Sequence, residues 1–309
     1  MQAAHRSALL CNGPAPAPAH TSISGAILDA LAYADVFDWP LSAVEIHRAL
    51  PMTATQVEVD DVLASCVSAG LLTRVAGVFV LFERDELAEL RRQRERVSQR
   101  LWPQAVRYGR WIAALPFVAM VAVSGSLAVN AAGADADIDF FVVTEDGRLW
   151  TTRAMIIGVV RASAAGRGPT LCPNYLVSSS DIEFAERDVF TAHELVQLVP
   201  LYGGAAFDEL IARNAWYREF LPNHPGPTPM LAGAPSSIGR RIAPLLRRRA
   251  FDRFERWEMD RKVAALTASS SGSAEVRFDE VACKGHLDGH RQRVLDAHSQ
   301  RLQRLGISA

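Results

Sequence analysis

The sequence predicts a mixed α/β (α+β) protein, and three observations support this fold class. Runs rich in apolar and β-branched residues, at 118–123, 136–143 and 170–178, have the length and composition of strands. Segments with apolar residues at helical spacing stand before, between and after these runs. Gly-Ser at 125–126 and Asp-Gly at 146–147 mark turns at strand ends. We therefore expect a small mixed sheet, flanked by an N-terminal module and a helical C-terminal region.

Length and composition bound the class of protein. The chain has 309 residues, 49% of them hydrophobic, with a formal net charge of −1, so we expect a globular protein of two or three domains. The four cysteines, at 11, 66, 172 and 283, have no CxxC spacing and indicate neither a zinc site nor a disulfide framework. Reduced thiols, the lack of a signal-peptide pattern and apolar runs too short for a bilayer predict a cytoplasmic protein with no membrane partner.

The N-terminal part divides into a disordered segment, 1–21, and a small helical module, 22–84. The stretch GPAPAPAH gives the first segment the composition of a linker. In the module, Ser24, Ser42 and Thr55 stand where the N-caps of three successive helices are expected, and a hairpin follows them. Three helices and a hairpin in this order resemble a winged helix-turn-helix domain.

The third helix of this module bears on DNA binding. It carries Glu58, Asp60 and Asp61, and residues 55–73 contain no Lys or Arg. A recognition helix in the major groove brings positive charge to the phosphates. We therefore consider sequence-specific DNA binding unfavoured and expect a packing or protein-interaction role.

Residues 85–115 predict a connecting helix with an arginine cluster. Glutamates at 86, 89 and 95 are spaced to pair with these arginines, which favours a solvated, salt-bridged face. The alternative is that some of the arginines hold a triphosphate or an acidic acceptor.

Residues 116–200 form the predicted core, and the stretch 121–144 carries its chemistry. Asp137 and Asp139 alternate on a strand and therefore project from one face. Like charges this close raise each other's pKa, and a divalent cation with oxygen ligands is the natural compensation. Gly125-Ser126 ends the preceding strand and offers backbone N–H groups and a hydroxyl to an anion.

This pattern resembles the DNA polymerase beta-like nucleotidyltransferase superfamily. The match consists of Gly125, Ser126, Asp137 and Asp139 in a strand–turn–helix–strand context. The resemblance implies metal-dependent transfer of a nucleoside monophosphate from a nucleoside triphosphate to an acceptor, with release of pyrophosphate. It implies that the two aspartates hold Mg²⁺, with Mn²⁺ as an alternative, and that Gly-Ser binds the nucleotide. The acceptor (protein, RNA or a small molecule) is left open.

The superfamily's third carboxylate is where this sequence departs from the pattern. The predicted third strand, 170–178, contains Asn174 and no acid, and Asp181 follows its end. Either residue is a candidate to complete the catalytic site. Pro173 within the run predicts an edge strand or a bulge.

The last region, 201–309, is predicted to be helical. The spacing of apolar residues predicts helices over 191–199, just before this region, and over 236–268 and 287–305 within it. Two other functions remain open for the whole chain. One is a degenerate nucleotidyltransferase fold that binds nucleotide or regulates without turnover, and the other is a winged-helix transcriptional regulator.

Overall fold

The computed structural model describes residues 22–81, 84–226, 238–246, 249–269, 277–284 and 289–307. The predicted disordered segment, 1–21, lies outside these ranges. The chain forms a mixed α and β structure with a three-stranded and a six-stranded sheet, which confirms the α+β class.

The N-terminal module contains α1 (Ile23–Asp35), β1 (Leu41–Ser42), α2 (Ala43–Ala49), α3 (Gln56–Ser68), β2 (Thr73–Val75) and β3 (Val78–Val80), with strand order β1-β3-β2. Capping boxes start α2 and α3 at Ser42 and Thr55, as the sequence predicts. The cap of α1 is Ser22, whose Oγ accepts from Gly25 N–H, so the prediction of Ser24 is wrong by half a turn.

The larger sheet contains β4 (Val118–Ser124), β5 (Ile138–Thr144), β6 (Leu171–Ser178), β7 (Val199–Tyr202), β8 (Arg277–Phe278) and β9 (Ala282–Lys284). Its order is β7-β4-β5-β6-β9-β8. Among the strands that the structure describes, the β5–β6 pair alone is parallel, so the sheet is mixed. The helix between β5 and β6 supplies the crossover that a parallel pair requires.

The remaining helices are α4 (Leu87–Ala113), α5 (Gly125–Ala128), α6 (Leu149–Ala165), α7 (Val189–Gln197), α8 (Gly204–Arg213), α9 (Ile238–Leu246), α10 (Arg249–Ser269) and α11 (His290–Arg304). A 3₁₀ helix, Ala215–Glu219, follows α8. Among the described residues, no helix has the length and hydropathy needed to cross a bilayer.

Each face of the larger sheet has its own core, because alternate side chains point to opposite sides. Val121, Phe140 and Val142 pack under α4 and α6. Ala122 and Phe141 belong to the opposite core, to which α7, α8 and the 3₁₀ helix contribute. The face under α7 is the one that carries Asp139 of β5.

Three sequence predictions are corrected by the sheet. A helix over 191–199 is wrong at its end, because α7 stops at Gln197 and Val199–Tyr202 pairs with β4. Pro200 fits there because β7 is an edge strand. The strand with Pro173 is not an edge, since β6 lies between β5 and β9; the bulge alternative agrees with the register shift between Asp139 and Phe141. The helical prediction for 201–309 is incomplete, because β8 and β9 extend the sheet beyond β6.

The arginines of α4 connect this helix to the N-terminal module. Arg91 pairs with Glu45 and Glu95, and its guanidinium lies 4.6 Å from the ring centroid of Trp39. Arg94 donates to backbone carbonyls after α1. The solvated, salt-bridged face that the sequence predicts is seen at Arg92, which pairs with Glu89 in solvent.

Candidate active site

The candidate site lies at the ends of β4, β5 and β6 that meet on the face under α7. In the sheet register, Asp139 stands between Ser124 of β4 and Cys172 of β6. Asp137, Asp139 and Cys172 each present one ligand atom, and these atoms lie within 4.8 Å of one another. The two aspartates are therefore brought together as the sequence predicts, with a thiol as a third group.

Gly125 fixes the approach of the turn to this cluster. Its φ is +64°, a conformation that favours glycine. A Cβ at this position would lie 2.4 Å from Oδ2 of Asp139, which is closer than atoms can approach. The predicted Gly-Ser turn therefore lies directly against the second aspartate.

The electrostatics of the cluster are those of an uncompensated carboxylate pair. Burial, followed by the charge of Asp137, raises the pKa of Asp139 to about 7, although a hydrogen bond with Cys172 acts in the opposite direction. Burial and the two carboxylates raise the pKa of the Cys172 thiol. In the part of the chain that the structure describes, neither aspartate has a Lys or Arg ion-pair partner.

A buried hydroxyl adjoins the same cluster. Ser124 is 6% exposed, and its Oγ has no hydrogen-bond partner among the described residues. Ser124 shares the face of Ala122, the inward residue two positions earlier, and is paired with Asp139. A buried polar atom without a partner is costly and is a reason to look for a missing ligand.

Helix α7 brings a further carboxylate to this face. Burial raises the pKa of Glu194 to about 7, and the positive charge of Lys284 acts against this. The charge of Glu194 in turn contributes to the raised pKa of Asp139. The Lys284 Nζ is 3.9 Å from a carboxylate oxygen of Glu186.

Asn174 and Asp181 do not occupy the third position. Cys172 pairs with Asp139, Tyr175 pairs with Phe141, and Asn174 falls in the irregular stretch between these pairs. Asp181 follows the opposite end of β6, about 20 Å along the strand from Cys172, where it accepts a hydrogen bond from Arg277. Asp181 therefore lies apart from the cluster of Asp137, Asp139 and Cys172. Asn174 lies nearby, but the place beside Asp139 belongs to Cys172.

Sequence reasoning missed Cys172 and Ser124 as parts of this site, and it weighed Glu194 as a residue that either faces the site or lies on a capped surface helix. Cys172 could have been found by aligning the two predicted strands in parallel, since it is then the β6 residue level with Asp139. Ser124 directly precedes the Gly-Ser turn. The connection of Glu194 to the site is electrostatic, since its charge contributes to the raised pKa of Asp139.

A cavity of ≈ 520 Å³ opens on the other side of the Gly-Ser turn. It lies between the N-terminal module, α4, α5 and α7. Its walls include Gly125, Ser126, Trp39, Arg94 and His224. This volume is within the range of small-molecule binding sites.

The N-terminal module presents no basic surface on its third helix. Glu58 and Asp61 are exposed on α3, and Asp60 accepts from Gln56 on the same helix. The expectation that this helix does not read DNA stays a prediction.

Comparisons of the chain with family models, with curated proteins and with solved structures find no match. Inference about function therefore depends on the site itself.

Proposed function

We propose that the protein is a metal-dependent nucleotidyltransferase that moves a nucleoside monophosphate from a nucleoside triphosphate to an acceptor and releases pyrophosphate. The observation that carries this proposal is the close pair of Asp139 on β5 and Asp137 directly before β5, with Gly125 held against Asp139. The acceptor is a protein, an RNA or a small molecule.

The residues present fit a divalent cation. Two close carboxylates lie beside the buried Ser124 hydroxyl, and among the described residues none of these groups has an ion-pair or hydrogen-bond partner of positive charge. They offer hard oxygen ligands. Asp137 and Asp139 would hold the cation, with Mg²⁺ or Mn²⁺ as the ions expected from the resemblance. When bound, such an ion neutralises charge on the phosphates.

The other groups have roles that follow from their positions. Gly125 and Ser126 would hold the phosphates, since the turn borders both the aspartate pair and the cavity. In the cavity, Arg94 and the more exposed Arg48 add positive charge, and Trp39 adds an aromatic surface. This space suits the nucleoside or a small acceptor.

Glu194 is the group that we assign to proton transfer. The acceptor hydroxyl forms a bond to the α-phosphorus, the bond from that phosphorus to the oxygen bridging to the β-phosphate breaks, and pyrophosphate leaves. The hydroxyl proton passes to the Glu194 carboxylate, whose pKa of about 7 is near the value a general base needs. Glu194 thus supplies an acid that β6 lacks.

The test is transfer of label from each of four α-³²P-labelled nucleoside triphosphates to a cell lysate as the acceptor pool, with Mg²⁺ or Mn²⁺. Asp137→Asn and Asp139→Asn are expected to lower labelling about a thousandfold or more, because each removes a charged metal ligand. Glu194→Gln should slow it about a hundredfold and keep the metal dependence. Asp181→Asn, at the far end of β6, is the matched control and should label like the parent.

Circular dichroism and thermal unfolding establish that each variant folds. Equal labelling by the parent and both aspartate variants would refute the assignment of the metal site. A second candidate, nucleotide binding without turnover, is favoured by the thiol where the superfamily has its third carboxylate. Nucleotide-dependent heat stabilisation without pyrophosphate release would support this second function.

A further inference from the structure

The third ligand position of the site is occupied by sulphur. Cys172 stands level with Asp139 in the parallel β5–β6 pair, and its Sγ lies within 4.8 Å of an oxygen of each aspartate. Cys172 is partly buried, in contrast to Cys66 and Cys283, which are buried in the apolar cores.

A second observation points to a ligand at the same place. Ser124 flanks Asp139 on the side opposite Cys172, and its Oγ is buried without a partner in the described structure. Two carboxylates, a thiol and a hydroxyl thus converge on one face, and the carboxylates have no Lys or Arg ion-pair partner in the described ranges. A bound cation would satisfy the whole group.

The donor set decides which cation fits. Mg²⁺ requires oxygen ligands in near-octahedral geometry and has little affinity for sulphur. Zn²⁺ and Co²⁺ accept thiolate, carboxylate and water together, and the position of each in the Irving–Williams order adds affinity over Mn²⁺.

We propose that Cys172 is the third protein ligand of this site, with Asp137 and Asp139, and that the site takes a zinc-like divalent transition metal in preference to Mg²⁺. The Cys172 sulphur binds as the thiolate, and its proton leaves to solvent. This inference rests on the proposed function for the purpose of the site, but its test contains no nucleotide, so that the two can fail separately.

The test is titration of the metal-free protein with Co²⁺, under reducing conditions and without nucleotide. A thiolate–cobalt charge-transfer band in the near ultraviolet is expected at one equivalent in the parent and in the control Cys66→Ser. The band should be absent in Cys172→Ser and weakened at least tenfold in apparent affinity in Asp139→Asn. A hundredfold excess of Mg²⁺ should leave the band in place, and one equivalent of Zn²⁺ should remove it.

A variant that changes the metal preference, and does not merely abolish binding, distinguishes a lost ligand from a misfolded protein. Cys172→Asp replaces sulphur with a carboxylate, and is expected to lose the band and to bind Mg²⁺ at least tenfold more tightly than the parent. The inference is overturned if Co²⁺ does not bind, if it binds without the band, if the band survives in Cys172→Ser, or if equimolar Mg²⁺ displaces it. A band without label transfer under any metal would refute the enzyme and leave the metal site standing.

Discussion

The two ends of strands β5 and β6 carry acids in opposite circumstances. Beyond the C-terminal ends, Asp146 accepts hydrogen bonds from Ser178 Oγ at 2.5 Å, Ser179 Oγ at 3.0 Å and the Ser180 N–H at 2.9 Å. At the N-terminal ends, Asp139 has a second carboxylate and a thiol beside it. The same sheet therefore surrounds one carboxylate with hydrogen-bond donors and places the other beside a second acid and a thiol.

The pKa shifts follow this difference. Hydrogen bonds, the first from Ser178, lower the pKa of Asp146, whereas burial and then the charge of Asp137 raise that of Asp139. An acid whose anion accepts hydrogen bonds from the fold contributes to the stability of the folded state. A perturbed acid in a polar cluster next to a cavity is a candidate for function. The comparison thus separates a structural end of the sheet from a functional one.

Two glycines test this comparison with the largest expected effect. Gly125 and Gly147 have φ values of +64° and +65°, so alanine at either position costs about 1 kcal/mol or more in strain. A Cβ at Gly125 would meet Asp139 Oδ2 at 2.4 Å, whereas one at Gly147 meets nothing within 4 Å. Gly125→Ala is expected to lose label transfer about a hundredfold or more, and Gly147→Ala to retain it.

Transfer rates with purified variants, together with urea unfolding, separate the two effects. Similar stability losses with a large difference in rate would support a functional role for the Gly125–Asp139 contact. If Gly147→Ala lost activity to the same degree, strain in the turn and not the contact would be responsible, and the two ends of the sheet would not differ as we describe.

The core of the fold could be predicted because its signals are local. The runs that became β4 and β5, the turn between them and the caps at Ser42 and Thr55 depend on neighbouring residues only. The short strands β7 and β9 have no such signal, since three or four residues become a strand only by pairing with an existing sheet edge. Tertiary packing decided these elements.

The site was predictable to the same degree. Asp137, Asp139 and Gly125 meet because strand alternation and the Gly-Ser turn bring them together, and both can be read from the sequence. Cys172 depends on the register of a parallel pair with a long crossover. Such a register is not encoded in a short motif, and the third ligand was therefore sought on other residues.

The pH dependence of stability should have opposite signs at the two ends. The folded-state pKa of Asp139, about 7, exceeds the ordinary value near 4. The folded protein then binds more protons than the unfolded chain between pH 4 and 7, so this group's contribution to the free energy of unfolding falls as pH rises through that window, by roughly 2–4 kcal/mol. The lowered pKa of Asp146 gives stability that is present above pH 4 and is lost as the pH falls below it.

The contributions of Asp139 and Asp146 are measured as differences in the free energy of unfolding between variant and parent. This is necessary because buried histidines also change the free energy of unfolding with pH. The pKa values of His193 and His224 are lowered to about 3 and about 4, chiefly by burial, so their contribution to stability rises with pH up to about 6.5. In the presence of a chelator, the stability of Asp139→Asn relative to the parent is expected to increase from pH 5 to pH 8. Asp146→Asn should be less stable than the parent at pH 6, with the deficit closing toward pH 3. Urea unfolding at each pH measures both, and parallel curves for the two variants would contradict the comparison.

The smallest effect is expected from Arg277, which pairs with Asp181 and Asp279 at the structural end. All three side chains are substantially exposed, so the pairs are screened by solvent, and Arg277→Gln should lower the free energy of unfolding by about 1 kcal/mol or less. Label transfer should be unchanged, since the site lies at the other end of β6. A loss of several kcal/mol would mean that these ion pairs, rather than backbone pairing, hold β8 and β9 on the sheet. A loss of transfer without loss of stability would place Asp181 in the reaction after all, and would remove the distinction between the two ends.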